Sequence, residues 1–238
     1  RVLSVFGTRP EAIKMAPLVQ ALAQEPGIES RICVTGQHRQ MLDQVLSLFR
    51  IVPEYDLDLM VPGQDLAQVT TAVLQGLAPV LVQARPDLVL VHGDTTTTLA
   101  SALACYYAKI PVGHVEAGLR TGDIYAPWPE EVNRRLTAGI ARLHFAPTDR
   151  AAKALRDEAV PADWIHVTGN TVIDALQDIA GRFDTDPQLA AQMQAHFKPP
   201  THCRIILVTG HRRESFGHGF DQICAALRTL ADRPDVHL

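Results

Sequence analysis

The sequence predicts an α/β fold in which helices cover both faces of a mostly parallel sheet, and three observations support this. Short apolar runs alternate with amphipathic stretches along the 238 residues. Several runs, such as "DLVLVHG", are apolar throughout, which is typical of strands buried on both faces. The chain also opens with an apolar strand, one tight glycine turn and a helical pattern, "VLSVFGTRPEAIKMAPLV". We therefore expect a doubly wound, Rossmann-like parallel sheet.

The elements of this sheet can be read from the sequence in chain order. Six strands are predicted at "VLSVF", "RICVT", "DLVLVHG", "PVGHVEAG", "LHFAP" and "WIHVTG". Helical periodicity predicts helices over residues 10–24, 38–49, 66–83, 95–108, 129–141, 149–158 and 171–182. We expect Pro10 at the first position of its helix, where the missing amide proton costs nothing.

The pattern changes after residue 169, which indicates a second domain. Two helical stretches and the segment "FKPPTHC" lead to a new strand, "RIILVTG", and then to a helix over residues 220–232. One strand and one helix cannot bury a core alone, so we expect this second domain to be truncated. The predicted organisation is a Rossmann-like domain over residues 1–169, a helical connector over 170–203 and the start of a second Rossmann-like domain over 204–238.

Composition and charge argue against several classes of function. Apolar residues make up 47% of the chain and charged residues 20%, which is enough for a sizeable core. A net charge of -4 argues against a protein that binds the nucleic-acid backbone. We see no apolar run of the roughly 18 residues that a membrane span needs. Four separated cysteines suit a reducing compartment. We expect a cytoplasmic protein with no nucleic-acid or membrane partner.

Ionisable and amide side chains follow nearly every predicted strand. In open α/β sheets ligands bind at the carboxyl ends of the strands, so these positions are the candidate site. They hold Arg9, Glu11 and Lys14, then Gln37 and Gln40, then Asp94, Glu116, Glu130 and Arg134, and finally His211 and Arg212.

Several of these residues also have a purely structural explanation. Asp94 precedes four threonines and is well placed to cap the helix that follows. Glu130 and Glu131 each precede an arginine by four residues, and such surface pairs contribute only about 0.3–0.5 kcal/mol. Glu116 is harder to explain in this way, because the small residues after it leave room for a ligand.

Motifs for metals and common cofactors are weak in this sequence. His114 and Glu116 form an H-x-E, but no cysteine or third histidine lies at ligand spacing. The first turn has one glycine where a dinucleotide site has two or three, and neither a P-loop nor a G-x-S-x-G elbow is present. We therefore expect no metal and no nicotinamide or flavin.

The remaining combination of charges favours a nucleotide sugar. Arginines and helix N-termini suit a diphosphate. Several carboxylates suit proton transfer on a polyhydroxylated group. A nucleotide sugar contains both parts.

Six strings of the sequence together resemble the non-hydrolysing UDP-N-acetylglucosamine 2-epimerases of bacteria. They are "FGTRPEAIKMAPL", "VHGDTTTT", "GHVEAGLRTGD", "PWPEEVNRRL", "TGNTVIDAL" and "VTGHRRESFG". The resemblance implies a GT-B-type architecture, in which two Rossmann-like domains face each other and UDP lies in the cleft. It also implies reversible epimerisation at C2 to UDP-N-acetylmannosamine for cell-surface polysaccharide synthesis. The implied route eliminates UDP to give 2-acetamidoglucal and then adds it back.

The resemblance implies further properties and a role for each site residue. The family needs no cofactor, works as a homodimer and can be activated allosterically by its own substrate, UDP-N-acetylglucosamine. The implied roles are catalytic for Asp94, Glu116, Glu130 and His211, substrate-binding for Arg9 and Lys14, and allosteric for Gln37, Gln40 and Arg212. We add Arg134 to the substrate-binding set, because it lies one helical turn after Glu130.

Three other functions stay open on the sequence alone. A hydrolysing relative would release UDP and N-acetylmannosamine, and a GT-B glycosyltransferase would transfer the sugar to an acceptor. The chain could also be an inactive binding or dimerisation fragment. Because the family's uridine- and phosphate-binding segments lie mostly beyond residue 238, we expect residues 1–238 alone to be inactive.

Overall fold

The computed structural model describes residues 1–36, 39–59, 61–196, 198, 200, 202–209 and 218–238. The chain divides into two compact units, Arg1–Asp178 and Ile179–Leu238. The three-part domain organisation expected from the sequence stays a prediction.

The first unit alternates strands and helices along its whole length. Its strands are β1 (Val2–Phe6), β2 (Ser30–Val34), β3 (Tyr55–Asp56), β4 (Leu88–His92), β5 (Val112–Val115), β6 (Leu143–Ala146) and β7 (Ile165–Val167). Its helices are α1 (Arg9–Gln24), α2 (Arg39–Leu48), α3 (Leu66–Ala84), α4 (Thr96–Tyr107), α5 (Glu130–Ile140) and α6 (Asp149–Asp157), with a 3-10 turn at Ala162–Trp164. Helix α7 (Thr171–Thr185) begins in the first unit and ends in the second.

All seven strands are parallel, in the order β3-β2-β1-β4-β5-β6-β7. The predicted doubly wound sheet is therefore confirmed, and the direction of winding reverses between β1 and β4. Val2 lies opposite Ser30 on one side and Leu88 on the other. The loops after β1 and β4 are thus neighbours at the point where ligands bind in such sheets.

The core lies between the sheet and the helices that cover it. Buried strand residues such as Leu3 and Val91 pack with Leu77 of α3 and Ala102 of α4. The single glycine of the first turn has a steric reason. A Cβ at Gly7 would lie 1.9 Å from Thr35 Oγ1 and 3.0 Å from Thr97 Oγ1, so no other residue fits without displacing these neighbours.

Helix α3 is long and apolar enough, by length and composition alone, to cross a membrane. Its 19 residues include no charged side chain. This segment does not stand out as an apolar run in the sequence, because glutamines and threonines interrupt its apolar residues. Val73, Leu77 and Leu81 of α3 are buried in the unit, as expected for a helix that covers one face of a sheet.

The second unit contains a short parallel pair of strands. Its elements are α8 (Pro187–His196), β8 (Arg204–Ile205), α9 (His218–Ala231) and β9 (Val236–His237), with β8 beside β9. The predicted strand "RIILVTG" is confined to two residues within the described part, and residue 210 lies outside it. The predicted final helix is confirmed and begins two positions earlier than expected.

Candidate functional site

A cleft of about 410 Å³ opens at the carboxyl ends of the strands in the first unit. Three of the predicted site residues line it: Arg9, Asp94 and Glu130. Thr8, Thr95, Thr96 and Asn133 are among the other lining residues. The structure therefore brings together side chains from the loops after β1 and β4 and from the start of α5.

Arg9 is the first residue of α1, and Pro10 is the second. The prediction that Pro10 holds the first position is wrong, because the N-cap is Thr8 and helical geometry begins one residue earlier than the proline. Proline is tolerated at either position, since neither amide has an intrahelical acceptor. Arg9 is exposed at the edge of the cleft.

Glu11 is buried directly behind this turn and accepts three hydrogen bonds. Its Oε2 accepts from the amides of Gly7 at 2.9 Å and Thr8 at 2.7 Å. Its Oε1 accepts from the hydroxyl of Thr95 at 2.5 Å, while the nearby Thr98 hydroxyl donates to the carbonyl of His92. Burial raises the pKa of this carboxyl, although the hydrogen bonds from Thr95, Gly7 and Thr8 act against the shift. No specific role was predicted for Glu11 from the sequence, but its position three residues after Thr8 is a capping-box signal.

Asp94 does not cap the helix after β4, so the capping role that its sequence position suggested is wrong. The N-cap is Thr95, whose hydroxyl accepts from the Thr98 amide at 3.1 Å. The Asp94 carboxylate instead forms an ion pair with the guanidinium of Arg134. Asn133 Nδ2 donates to the Asp94 carbonyl at 2.9 Å, so α5 holds the Asp94 loop at two points.

Arg134 is paired with Glu131 and not with Glu130, so the expected four-residue pairing of Glu130 is wrong. The distance from Arg134 Nη1 to Glu131 Oε2 is 3.0 Å. Glu130 Oε2 is buried and has no hydrogen-bond partner among the described residues. Glu130 also lines the cleft, so this oxygen is available as a hydrogen-bond acceptor for a ligand.

The carboxylate of Glu131 has a structural role. The sequence predicted it only as one half of a surface ion pair. It is fully buried and accepts from the amides of Thr121 at 3.1 Å and Gly122 at 3.2 Å. Burial opposes ionisation of Glu131, but these amides and the charge of Arg134 lower its pKa below the usual value. Glu131 therefore fixes the loop before α5 and orients Arg134 toward Asp94.

Glu116 forms a second charged group beside the first. Its Oε1 accepts from Lys14 Nζ at 2.5 Å and from Asn170 Nδ2 at 2.7 Å. Its Oε2 lies 3.7 Å from His92 Nε2. Burial favours the neutral acid, yet His92 and Lys14 lower the pKa of Glu116 below its usual value. The structure thus brings Lys14 and Glu116 together, and it adds Asn170 and His92, which were not among the predicted site residues.

The backbone places Glu116 next to the Asp94 loop. Glu116 has φ of 61°, in the left-handed region that few residues other than glycine adopt. Gly93, before Asp94, has φ of 71°, a conformation that favours glycine, and a Cβ there would lie at an ordinary contact distance of 3.6 Å from Glu116 Oε2, so the two loops are neighbours. Strained backbone of this kind is concentrated at functional sites.

Three buried histidines lie under the site on adjacent strands. Burial lowers the pKa of His92 to about 4, that of His114 to about 3 and that of His144 to about 4. All three are therefore neutral at pH 7. His114 Nε2 lies 2.6 Å from the carbonyl oxygen of Gly93. Within the described ranges, no three histidine, cysteine, aspartate or glutamate residues are grouped so that they could hold a metal ion.

The residues that the resemblance assigns to an allosteric site are only partly described. Gln40 is exposed on the first turn of α2. Its neighbour Arg39 pairs with Asp43 at 3.0 Å and also with Asp56. Gln37 and Arg212 lie outside the described residues, as does the predicted catalytic residue His211.

Comparisons with known proteins agree on one family. The family model described as UDP-N-acetylglucosamine 2-epimerase matches residues 20–238. A UDP-N-acetylglucosamine 2-epimerase of Yersinia pestis is 60% identical over 240 residues, which cover all of this chain and 64% of that protein. The Escherichia coli K12 enzyme of the same name is 58% identical over 233 residues, or 97% of this chain and 62% of that protein.

A solved structure agrees with these relatives. The UDP-GlcNAc 2-epimerase from Neisseria meningitidis, bound to UDP-GlcNAc, matches with a TM-score of 0.92 and 49% identity. The match covers 100% of this chain and 66% of that one, and it confirms the predicted GT-B-type fold class. The chain thus spans less than two thirds of the length of these relatives.

Proposed function

Because the chain belongs to the UDP-N-acetylglucosamine 2-epimerase family, we propose that the protein interconverts UDP-N-acetylglucosamine and UDP-N-acetylmannosamine by inverting sugar carbon C2. The observation that supports this best is the grouping of three carboxylates in three different environments. Asp94 is paired with Arg134, Glu116 is held by Lys14 and Asn170, and Glu130 has a buried oxygen without a partner among the described residues. Different environments let neighbouring carboxyl groups act as acid and base.

The chemistry of the substrate requires both an acid and a base. The C2 proton lies next to no carbonyl group, so its removal alone would leave a carbanion that no carboxylate base could generate. We propose that a carboxylate removes this proton while the C1–O bond to UDP breaks. The electron pair of the C2–H bond then forms the C1=C2 double bond of 2-acetamidoglucal, and UDP leaves with the electrons of the C1–O bond.

The return step inverts the configuration at sugar carbon C2. A carboxylic acid delivers a proton to C2 on the opposite face, and a UDP oxygen forms the C1–O bond again. The route is redox-neutral and needs no hydride acceptor. We propose that Glu116 begins as the base, because it is ionised at neutral pH and can accept a proton. We propose Asp94 and Glu130 as the other proton-transfer groups, and His211 as the group that acts near the diphosphate.

We propose that Arg9, Lys14 and Arg134 bind the substrate. Arg9 is exposed at the cleft edge, where a guanidinium can pair with a phosphate oxygen. Lys14 and Arg134 already pair with Glu116 and Asp94, so they also keep those carboxylates oriented. The Neisseria meningitidis relative, whose crystal structure has UDP-GlcNAc bound, supports this nucleotide sugar as the ligand.

The proposal extends to assembly and regulation. We propose a homodimer, supported by large side chains exposed on the surface at the ends of α3 and α4, where Val82, Tyr106 and Tyr107 are more than half exposed at 73%, 63% and 70%. We also propose activation by UDP-N-acetylglucosamine at a second site that includes Gln37, Gln40 and Arg212. The free thiols of all four cysteines suit the cytoplasm, where the product would supply cell-surface polysaccharide synthesis.

Product analysis tests the proposed activity. The full-length protein is incubated with UDP-N-acetylglucosamine alone, and the sugar region is followed by proton NMR. We expect signals of UDP-linked N-acetylmannosamine to grow to an equilibrium mixture. Release of free N-acetylmannosamine and UDP would support the hydrolysing alternative, and an unchanged substrate would support a glycosyltransferase that lacks its acceptor.

A further inference from the structure

The point where the sheet reverses its winding carries a buried carboxyl group. Amides at the end of β1 and the Thr95 hydroxyl at the start of α4 converge on it between the neighbouring strands β1 and β4. In doubly wound folds the helix N-terminus at this point is the usual seat of a ligand phosphate. Here the donors point instead at the side chain of Glu11.

We propose that the carboxyl group of Glu11 fills the phosphate position at the N-terminus of α1, so that the backbone amides of this turn do not bind the diphosphate of the substrate. The proposal also makes Glu11 a positioning residue, because it joins the loop that carries Arg9 to the loop that carries Asp94. The nature of the excluded ligand rests on the proposed function, whereas the occupation of the phosphate position does not.

The hydrogen bonds of Glu11 involve both oxygens of its carboxyl group. Oε2 takes the two backbone amides of the first turn, at 2.9 Å from Gly7 and 2.7 Å from Thr8. Oε1 accepts from the hydroxyl of Thr95. A phosphate arriving here would find these donors already engaged and its place filled by a buried carboxyl group. Arg9 is the group of this turn that remains available to a diphosphate.

Glu11 lies in a closely packed part of the unit. Only 3% of its surface is exposed, and the turn beside it is so close to Thr35 and Thr97 that it requires glycine at position 7. Thr8 and Thr95, which Glu11 connects, both line the cleft. A change at Glu11 therefore moves two walls of the cleft relative to each other, and displacements of about 1 Å can lower turnover about a hundredfold.

Inorganic phosphate tests the occupied position without relying on any activity. It is titrated into the isotope-labelled full-length protein while the amide resonances of Gly7 and Thr8 are followed. Both titrations are done in an Arg9→Ala background, because phosphate paired with the neighbouring guanidinium would itself shift these amides. We expect both resonances to stay in place with Glu11 intact and to shift saturably when Glu11→Ala is added. Saturable shifts with Glu11 intact, or none in a folded double variant, would overturn the proposal. If the double variant does not fold, the titration with Glu11 intact decides alone.

Kinetics test the positioning effect. We expect Glu11→Ala to lower kcat per folded enzyme about tenfold to a hundredfold with a smaller change in KM. Glu11→Gln should restore most of the loss, because its carbonyl can accept from the amides while its NH₂ group donates to a threonine hydroxyl. Glu25→Ala is the control: Glu25 is an exposed glutamate at the opposite end of α1. We expect it to leave kcat unchanged.

Equal kcat for folded Glu11→Ala and wild type would overturn the positioning effect. A Glu11→Gln variant as slow as Glu11→Ala would do the same. A wild-type protein without epimerase activity would overturn the proposed function and leave the phosphate titration as an independent test.

Discussion

Lys14 Nζ lies 2.5 Å from Glu116 Oε1, although the two residues are 102 positions apart in the sequence. Their side chains are only 24% and 11% exposed, so the pair is largely shielded from water. An ammonium at this distance stabilises the ionised carboxylate, and the low exposure makes the interaction stronger than a surface ion pair. The charge state of Glu116 therefore depends on a residue of the first helix.

Substitution of Lys14 should raise the pKa of Glu116. Without the ammonium, Glu116 loses one of the interactions that lower its pKa, while burial still favours the neutral acid. We expect Lys14→Met to lower kcat/KM about tenfold or more at neutral pH and to move the acidic limb of the pH–rate profile to higher pH. The control is Lys153→Met, which breaks the exposed pair with Asp157 on α6. A slow Lys14→Met enzyme with an unshifted acidic limb would show that Lys14 contributes only binding.

Arg9 should contribute to catalysis much more than to folding. It is exposed and begins α1 at the cleft edge, so its removal costs little packing. We expect Arg9→Ala to lower kcat/KM at least tenfold and to change the free energy of unfolding by no more than about 0.5 kcal/mol. Urea denaturation and steady-state kinetics measure the two effects, with Arg150→Ala, an exposed arginine on α6, as control. A large loss of stability with normal turnover would instead make Arg9 structural.

The three buried histidines should make stability depend on pH between about 6.5 and 4. Their folded pKa values of about 4, 3 and 4 lie below the value of the unfolded chain, so the unfolded state binds more protons in this range. The contribution of each histidine to the free energy of unfolding is therefore fully present above pH 6.5. It is lost as the pH falls, by at most about 1.4 kcal/mol per pH unit for each histidine. The raised pKa of Glu11 acts in the opposite direction, but it is one group against three.

Urea unfolding at a series of pH values measures this slope. His144→Phe should flatten it, because phenylalanine is an aromatic side chain of similar size that does not titrate at this fully buried position. Unfolding free energies that do not change between pH 7 and pH 5 would contradict the assignment of these histidines as neutral. The lowered pKa values of Glu116 and Glu131 affect stability only at lower pH, as those carboxylates become protonated.

Residues 1–238 alone should bind UDP weakly and show negligible epimerase activity. The chain spans 64% of the Yersinia pestis relative. We propose that part of the nucleotide site lies outside residues 1–238, and an enzyme without that part would lose positioning and the exclusion of water. Calorimetry with UDP and NMR of UDP-N-acetylglucosamine mixtures compare this chain with the full-length protein. Equal turnover by the two would show that the nucleotide site lies within residues 1–238.

Much of the fold could be predicted from the sequence, because apolar runs and helical periodicity are local signals. All six predicted strands of the first unit are confirmed. Strand β3, at Tyr55–Asp56, was missed because two residues carry no periodicity, and its pairing with β2 depends on the tertiary fold. The start of α1 differs by one residue, since the capping geometry of Thr8 and not the proline decides it.

Several residues that the fold brings together could be listed from the sequence, but their pairings could not. The spacing along the sequence suggested a cap for Asp94 and a pair between Glu130 and Arg134, whereas the fold brings Arg134 to Asp94 and Glu131. Glu11 and Glu131 were noticed, but their structural roles were not predicted, because these depend on burial and on bonds to backbone amides. Such contacts join loops that are far apart in the sequence, and no local pattern reports them.

Asp94 and Glu116 should prove to be part of the proton-transfer machinery. We expect Asp94→Asn and Glu116→Gln to remain folded and to lose most of their turnover, because an amide cannot exchange a proton with C2 as a carboxyl group does. Thermal unfolding and NMR of the product measure the two properties. Normal turnover in both variants would remove these residues from the mechanism and leave the activity itself in place.

The isotope found at C2 of the product distinguishes the proposed mechanism from its alternatives. The full-length protein is incubated with UDP-N-acetylglucosamine in deuterated water, and the epimerised sugar is examined by NMR and mass spectrometry. Elimination and re-addition of UDP release the original C2 proton to a carboxylate that exchanges with solvent, so we expect deuterium at C2 of the N-acetylmannosamine unit. An epimerised product that retains its original C2 hydrogen would show that UDP is not eliminated in this way.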